Sequence, residues 1–285
     1  MSEQHNSLAD PAWWHKYASR SVQESPLYTQ IYTYLPHDQA VRELLTFVNP
    51  SQPVPPLFCS AVNFVLQSDL EHPLAAFYPY FNPTPRPAEE VYPVFHDFCL
   101  KHQEKLRQLL PTLRMQTNEV TRCANLLPVF EMVFQRGGRK PLALVEIGTS
   151  AGLNLHWDAY GYDYGQGRLA GDRNAPVQLH CTLQGENIPP LPAAMPSVAS
   201  CQGIDIAPLD ISNEDHVRWL RACFFPEELQ SFQALDAAIA FARQHPPTIL
   251  TGDARALLPG ILEAMPPDQT ICLWHSYMLR QCPPE

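Results

Sequence analysis

The spacing of hydrophobic residues changes near residue 140 and predicts different secondary structure on either side. Before that point, apolar residues recur every three or four positions, which is typical of amphipathic helices interrupted by prolines. A first helix is predicted after Asp10, because an aspartate cap precedes a proline there. Other helices are predicted at residues 38–48, 56–70, 89–113 and 115–127. Residues 1–140 are therefore expected to form an all-helical region.

From residue 141 onward, short apolar runs alternate with helical spacing. Alternation of this kind predicts a parallel sheet built from right-handed crossovers. An insert at residues 161–197, rich in Gly, Pro and Tyr, is typical of a functional loop such as a lid, with a short strand near residues 177–182. The predicted strands are residues 142–147, 198–206, 248–251 and 270–274, and the predicted helices are residues 153–159, 213–223, 228–243 and 255–264.

These elements predict an α/β fold whose second domain, residues 141–285, is a Rossmann-like parallel sheet. A doubly wound sheet normally has more than four strands, so we expect this domain to be incomplete at its C-terminus. The alternative is that the N-terminal helices cover the exposed sheet edge.

The segment that follows the first predicted strand is the most informative part of the chain. It contains an acid, Glu146, and then the small-residue turn Gly148-Thr-Ser-Ala-Gly152. Glycines allow a positive φ and a close approach of a ligand to the backbone. In open α/β sheets, ligands bind at the carboxyl ends of the strands, where Glu146 is predicted to lie. The order of strand, tight turn and helix therefore predicts a nucleotide-binding site.

Three further polar residues end predicted strands in the order expected of an S-adenosylmethionine site. Asp205 follows the second strand, where a carboxylate can accept hydrogen bonds from ribose hydroxyls. Asp253 follows the third strand and is predicted to contact adenine. His275 follows the fourth strand, near the position of a transferred methyl group, and is the candidate base for the acceptor.

The chain resembles a family of uncharacterised bacterial proteins, domain of unknown function family 2332. The resemblance rests on Glu146-Ile-Gly-Thr-Ser-Ala-Gly-Leu-Asn-Leu155, Gly203-Ile-Asp205, Gly252-Asp-Ala254 and the polar run from Gln116 to Arg122. It extends over nearly the whole chain and implies a helical region joined to a fold similar to S-adenosylmethionine-dependent methyltransferases. It implies no substrate.

The sequence thus predicts methyl transfer from the cofactor S-adenosylmethionine to a small-molecule acceptor. The loop differs from the usual methyltransferase G-x-G-x-G in having Ser150 at the middle glycine, and Asp205 lies further from the loop than is usual. The predicted cofactor-binding residues are Glu146, Gly148, Ser150, Gly152, Asn154, Asp205 and Asp253, and the predicted substrate-cleft residues are Gln116, Asn118, Glu119 and Arg122.

Two alternatives remain open from the sequence. The same loop matches G-x-S-x-G, the nucleophile elbow of α/β-hydrolases, and Ser150, Asp253 and His275 occur in the hydrolase order. In that hypothesis His275 deprotonates Ser150, and Asp253 orients His275. A non-catalytic cofactor-binding protein is the second alternative.

Composition limits the classes of partner and compartment. The formal net charge of the 285-residue chain is −10, with no cluster of Lys and Arg, so nucleic acid is not indicated as a partner. The polar N-terminus lacks the features of a signal peptide, and no apolar run is long enough to span a membrane. The eight cysteines are scattered, and the histidines show no metal-ligand spacing. We therefore expect a cytoplasmic protein without a metal site, of undetermined oligomeric state.

Overall fold

The computed structural model describes residues 7–281, which divide into two compact units. Unit 1 comprises the described residues up to Thr117 together with residues 215–232. Unit 2 comprises residues 118–214 and the described residues from Gln233 onward. All of the strands lie in unit 2, and the secondary structure of unit 1 is helical.

Unit 1 consists of helices joined by short turns. Three of the α-helices begin at a polar cap whose side chain accepts a backbone N–H bond, namely Asp10, Ser25 and Asp38. The α-helices are α1 (Pro11–Ser21), α2 (Pro26–Tyr34), α3 (Gln39–Leu45), α4 (Val54–Leu66), α5 (Val91–Lys101) and α6 (Gln103–Leu109). The 3₁₀ helices are Ser7–Ala9, Leu35–His37, Pro73–Phe77 and Ala88–Glu90.

The long helix predicted at residues 89–113 is wrong as a continuous element. It is divided into α5 and α6 at His102, where the backbone leaves the helical conformation at φ −105° and ψ 16°. The ring of His102 is held at this break by Asp69, with a distance of 2.8 Å between Nε2 and Oδ2. The helical spacing of the sequence shows neither this break nor the side-chain contact that accompanies it.

Unit 2 is built on a four-stranded parallel sheet with the order β6-β5-β1-β7. Its strands are β1 (Leu142–Ile147), β5 (Val198–Asp205), β6 (Ile249–Thr251) and β7 (Thr270–His275). Each of the four follows a sequence prediction closely, which confirms the parallel sheet. The α-helices that lie wholly in unit 2 are α7 (Cys123–Arg136) and α10 (Ala254–Glu263). Of the two other α-helices, α8 (Glu214–Ala222) belongs to unit 1 from residue 215 onward, and α9 (Leu229–Gln244) begins in unit 1 and continues in unit 2 from residue 233.

The insert forms a small second sheet with the order β3-β2-β4. Its strands are β2 (Gly161–Asp163), β3 (Leu169–Ala170) and β4 (Gln178–His180), and the last confirms the short strand predicted at residues 177–182. Buried Tyr162 of β2 donates its hydroxyl to the carbonyl oxygen of Trp157, at 2.5 Å. The first part of the insert is therefore anchored to the segment that precedes it.

Two helix predictions around the sheet need correction. The helix predicted from residue 115 begins later, as a 3₁₀ turn (Val120–Arg122) that leads into α7, because the Glu119 side chain caps it by accepting from the N–H of Thr121. The helix predicted after the glycine turn is a 3₁₀ helix (Leu153–Ala159) that is broken at His156. Both segments contain or adjoin residues that the sequence predicts for the site.

The two faces of the sheet differ at its β7 edge. On one face, Phe130 of α7 packs against Trp274 of β7 and against Trp157, with ring centroids 5.5 and 4.7 Å apart. On the other face, Ile271 and Leu273 of β7 are each 46% exposed. No helix within residues 7–281 is both long and apolar enough to cross a membrane.

Candidate functional site

Glu146 lies near the carboxyl end of β1 with its side chain buried. Only 1% of the residue is exposed, and its Oε2 accepts a hydrogen bond of 2.6 Å from the hydroxyl of Thr149. Burial raises the pKa of Glu146 to about 8, while the Thr149 hydroxyl and the charge of Arg122 oppose that shift. The carboxyl is thus predominantly protonated at neutral pH and ionises readily when a positive group approaches.

The loop after β1 takes a left-handed backbone at three positions. Gly148, Ser150 and Gly152 have φ values of 75°, 55° and 73°. A Cβ on Gly148 would lie 2.6 Å from Cγ of Met278, and a Cβ on Gly152 would lie 2.8 Å from Cδ1 of Ile249. Turn geometry and packing by the chain's own side chains therefore both require these glycines.

Two polar atoms in the segment after β1 are buried without a hydrogen-bond partner. They are Oγ of Ser150 and Nδ2 of Asn154, in residues that are 5% and 1% exposed. The Oδ1 of Asn154 accepts instead from the thiol of Cys123, at 3.5 Å. The Nδ2 of Asn154 faces Glu146 and favours its ionised form, but it makes no hydrogen bond to the carboxyl. Since buried polar groups are normally paired, these two atoms mark a place where a ligand or a water molecule would bind.

Asp205 ends β5, next to the same loop. Its Oδ2 accepts from the backbone N–H of Ser150 at 2.7 Å, and its Oδ1 accepts from the N–H of Ala207 at 2.9 Å. The residue is 8% exposed. Each carboxylate oxygen keeps a further lone pair, so Asp205 can still accept a ligand hydroxyl while it holds the loop.

The polar run before α7 divides between the two units. Asn118, Glu119 and Arg122 belong to unit 2, whereas Gln116 belongs to unit 1. Buried Asn118 accepts the N–H of Leu153 at 3.0 Å and so occupies a donor at the start of the 3₁₀ helix after the glycine turn. Arg122 donates to Oγ of Ser276 at 3.1 Å, and its guanidinium stacks on the ring of Tyr277 at 4.7 Å. Of the predicted cleft residues, Asn118 and Arg122 therefore join the loop region through these contacts.

His275 and Asp253 are not brought together. His275 is exposed at the end of β7, where its Cα is paired with that of Ile147 on β1. Asp253 follows β6 at the opposite sheet edge, where it caps α10 and forms an ion pair with Arg255 at 2.6 Å. Two strands lie between these edges, a spacing of roughly 14 Å at the usual strand separation.

Ser150, Asp253 and His275 are not arranged as the catalytic serine, acid and histidine of a hydrolase. The hydroxyl of Ser150 has no hydrogen-bond partner, so no histidine is in place to deprotonate it. The interactions of Asp253 with α10 and Arg255 account for its position without a histidine or a ligand. Within residues 7–281, no group of three or more His, Cys, Asp or Glu side chains is placed to hold a metal ion.

Sequence reasoning missed three residues of this region. Thr149 lies within the loop motif, and its spacing of three residues from Glu146 was a usable signal. Cys123 and Met278 are distant in sequence from the loop, and nothing in their local pattern predicted contacts with Asn154 and Gly148.

Comparison with known protein families shows to which family the chain is related. A family model described as an uncharacterized protein conserved in bacteria (DUF2332) matches residues 13–285. The chain belongs to this family. No curated protein and no solved structure matches the chain. Membership of the DUF2332 family therefore comes without an established activity.

Proposed function

We propose that this DUF2332 protein is an S-adenosylmethionine-dependent methyltransferase that acts on a small-molecule acceptor. The observation that carries the proposal is the occurrence, at and just after the carboxyl end of β1, of a buried carboxyl, Glu146, and of two buried atoms without hydrogen-bond partners, on Ser150 and Asn154. A site of this kind suits a ligand that combines a positive group with hydrogen-bonding groups.

The strand order supports a Rossmann-like interpretation of the sheet. From β1 the chain crosses to β5 and then to β6, and it returns to the other side of β1 with β7. Ligands of doubly wound sheets bind outside the carboxyl ends of the strands at the point where the order reverses. In this chain, the reversal lies beside β1, next to the loop that carries the unpartnered atoms.

Different residues of the site would bind different groups of the cofactor. The carboxyl of Glu146 would accept from its amino group, and the free donors of Ser150 and Asn154 suit its carboxylate. Asp205 would accept a ribose hydroxyl through the lone pairs that its backbone bonds leave free. Because Asp253 is exposed and paired with Arg255, we leave it out of this set.

Bound in this place, S-adenosylmethionine would supply an activated methyl group. The chain's contribution would be to position the reacting groups and to exclude water from them. His275 lies at the carboxyl end of the sheet, on the strand next to β1, and would take a proton from the acceptor.

Calorimetric titration with S-adenosylmethionine and S-adenosylhomocysteine tests the proposal. We expect micromolar binding that Glu146→Ala and Asn154→Ala weaken at least about tenfold, a difference of about 1.4 kcal/mol. Glu263→Gln, an exposed carboxyl on α10, is the matched control and should bind like the wild type. Absence of binding by folded wild-type protein would refute the proposal, and binding without turnover on any acceptor would favour a non-catalytic cofactor-binding protein.

A further inference from the structure

The segment that follows β7 lies against the loop of the proposed site. Met278 packs on Gly148 so closely that a Cβ on this glycine would meet Cγ of Met278 at 2.6 Å and Cβ of Met278 at 2.7 Å. A glycine lets a ligand approach the backbone because it lacks a Cβ. Here the space beside Gly148 is filled by the chain's own methionine.

Two interactions of Arg122 hold this segment in place. The guanidinium donates to the hydroxyl of Ser276 at 3.1 Å and stacks on the ring of Tyr277 at 4.7 Å. Tyr277 is 59% exposed, so the burial of its ring does not explain its position. Stacking on the guanidinium of Arg122 is one of the contacts that position it.

The backbone of the segment is strained. Tyr277 has a φ of 65°, a left-handed conformation that costs free energy for a residue with a bulky side chain. A strained residue persists only where surrounding contacts hold it, and release of those contacts lets the backbone relax. The conformation seen here is therefore one that loss of the Arg122 contacts would disfavour.

Arg122 also connects the segment to the ligand site. Its positive charge favours the ionised form of Glu146, so the arginine interacts with the buried carboxyl as well as with Ser276 and Tyr277. A ligand that approaches the backbone at Gly148 would have to displace Met278 from the space beside this glycine. Occupation of the site and release of the segment are thereby coupled.

We propose that residues 276–278 form a displaceable latch, in which Met278 covers the loop at Gly148 and Arg122 holds the latch closed until the ligand binds. This inference rests on the proposed function. It makes the closed latch an autoinhibitory state, so the apparent affinity equals the affinity of the open form multiplied by the fraction of molecules in which the latch is open.

Titration of the full chain with S-adenosylhomocysteine tests the latch. We expect Met278→Ala to bind roughly ten times more tightly than the wild type, because it removes the cover and leaves the ligand-binding residues unchanged. Leu279→Ala, a neighbouring residue that is 58% exposed, is the control and should leave the affinity unchanged. An unchanged or weakened affinity of Met278→Ala overturns the latch while leaving the proposed function intact.

A measurement without ligand separates the two proposals further. If Met278 covers Gly148 in solution, the losses of thermal stability caused by Gly148→Ala and Met278→Ala will not be additive, because the two residues are in contact. Additive losses overturn the latch. Failure of both the wild type and Met278→Ala to bind, with folded samples, overturns the proposed function and with it the need for a latch.

Discussion

The backbone N–H of Ser150 donates a hydrogen bond of 2.7 Å to Oδ2 of Asp205. This bond joins the loop after β1 to the end of β5, two elements that are separated by the whole insert. It also holds Ser150 at its left-handed φ of 55°. The carboxylate that the sequence assigned to ribose binding therefore also shapes the loop that would hold the rest of the cofactor.

Replacement of Asp205 should destabilise the protein as well as weaken binding. Asp205→Ala leaves the buried N–H of Ser150 without its acceptor, and we expect a loss of about 1–3 kcal/mol in the free energy of unfolding. Urea denaturation followed by circular dichroism measures this loss. Asp172→Ala is the control, since Asp172 accepts an N–H at 2.8 Å in an exposed turn. Equal losses for the two variants would contradict the structural role of Asp205.

Gly148 should tolerate a side chain less well than another left-handed glycine. Gly138 has a φ of 70°, and a Cβ at that position would have nothing within 4 Å, whereas a Cβ on Gly148 meets Met278. Both Gly→Ala changes carry the left-handed penalty of about 1–2 kcal/mol. Gly148→Ala should cost roughly 1–3 kcal/mol more, because of overpacking. Parallel thermal unfolding compares them, and similar costs would mean that Met278 is not in contact with the loop in solution.

Glu146 should make the fold less stable as pH rises. Burial raises its pKa to about 8, above the value of about 4.3 expected in the unfolded chain. Between these two values the folded state keeps a proton that the unfolded state has lost, so its contribution to stability falls as pH increases. Glu146→Gln keeps a neutral group and should lose this dependence.

Melting temperatures of the wild type and Glu146→Gln between about pH 5 and pH 8 test that prediction. The melting temperature of Glu146→Gln relative to that of the wild type should increase as pH rises across this range. Thr149→Val removes the hydroxyl that favours the ionised carboxyl, so the pKa should rise and the decline should extend above about pH 8. Parallel curves for the wild type and Glu146→Gln would show that the carboxyl is already ionised at the acidic end of the range.

Binding of a ligand that places a positive amino group at Glu146 should strengthen as pH rises towards the pKa of this carboxyl, about 8. Below that pKa most molecules carry a protonated Glu146, which must lose its proton to pair with the ligand's amino group. The affinity for S-adenosylhomocysteine should therefore increase up to about tenfold per pH unit in this range. Calorimetry in buffers of different ionisation enthalpy would detect the released proton. An affinity that is independent of pH would exclude a direct role for this carboxyl.

Fluorophosphonate reagents should not label Ser150. Its hydroxyl is buried and has no hydrogen-bond partner, so no side chain is in place to deprotonate it. Mass spectrometry of the treated protein, with Ser150→Ala as the control, checks this expectation. Stoichiometric labelling that the substitution abolishes would revive the hydrolase alternative.

The local elements and the location of the central motif could be predicted from the order of residues alone. Alternation of apolar runs with helical spacing placed the four parallel strands to within a residue or two. Residues 142–145 of β1 form the continuous buried apolar run that burial on both faces of a parallel sheet requires. The motif after β1 could be recognised because its acid and its two glycines lie within a few positions of one another in the sequence. Helix ends were less predictable, since His102 is held by a contact with a distant aspartate.

The roles of the polar residues became evident only from the folded chain. Spacing along the sequence cannot show that Asp205 accepts the N–H of Ser150. It also cannot show that Asp253 pairs with Arg255. The placement of His275 and Asp253 at opposite edges of the sheet cannot be deduced from it either. Nor can it show that Met278 fills the space beside Gly148. These contacts join residues that strand order and burial bring together. The local sequence pattern shows neither the strand order nor the burial of a particular side chain, because the packing of the whole unit determines which side chains meet.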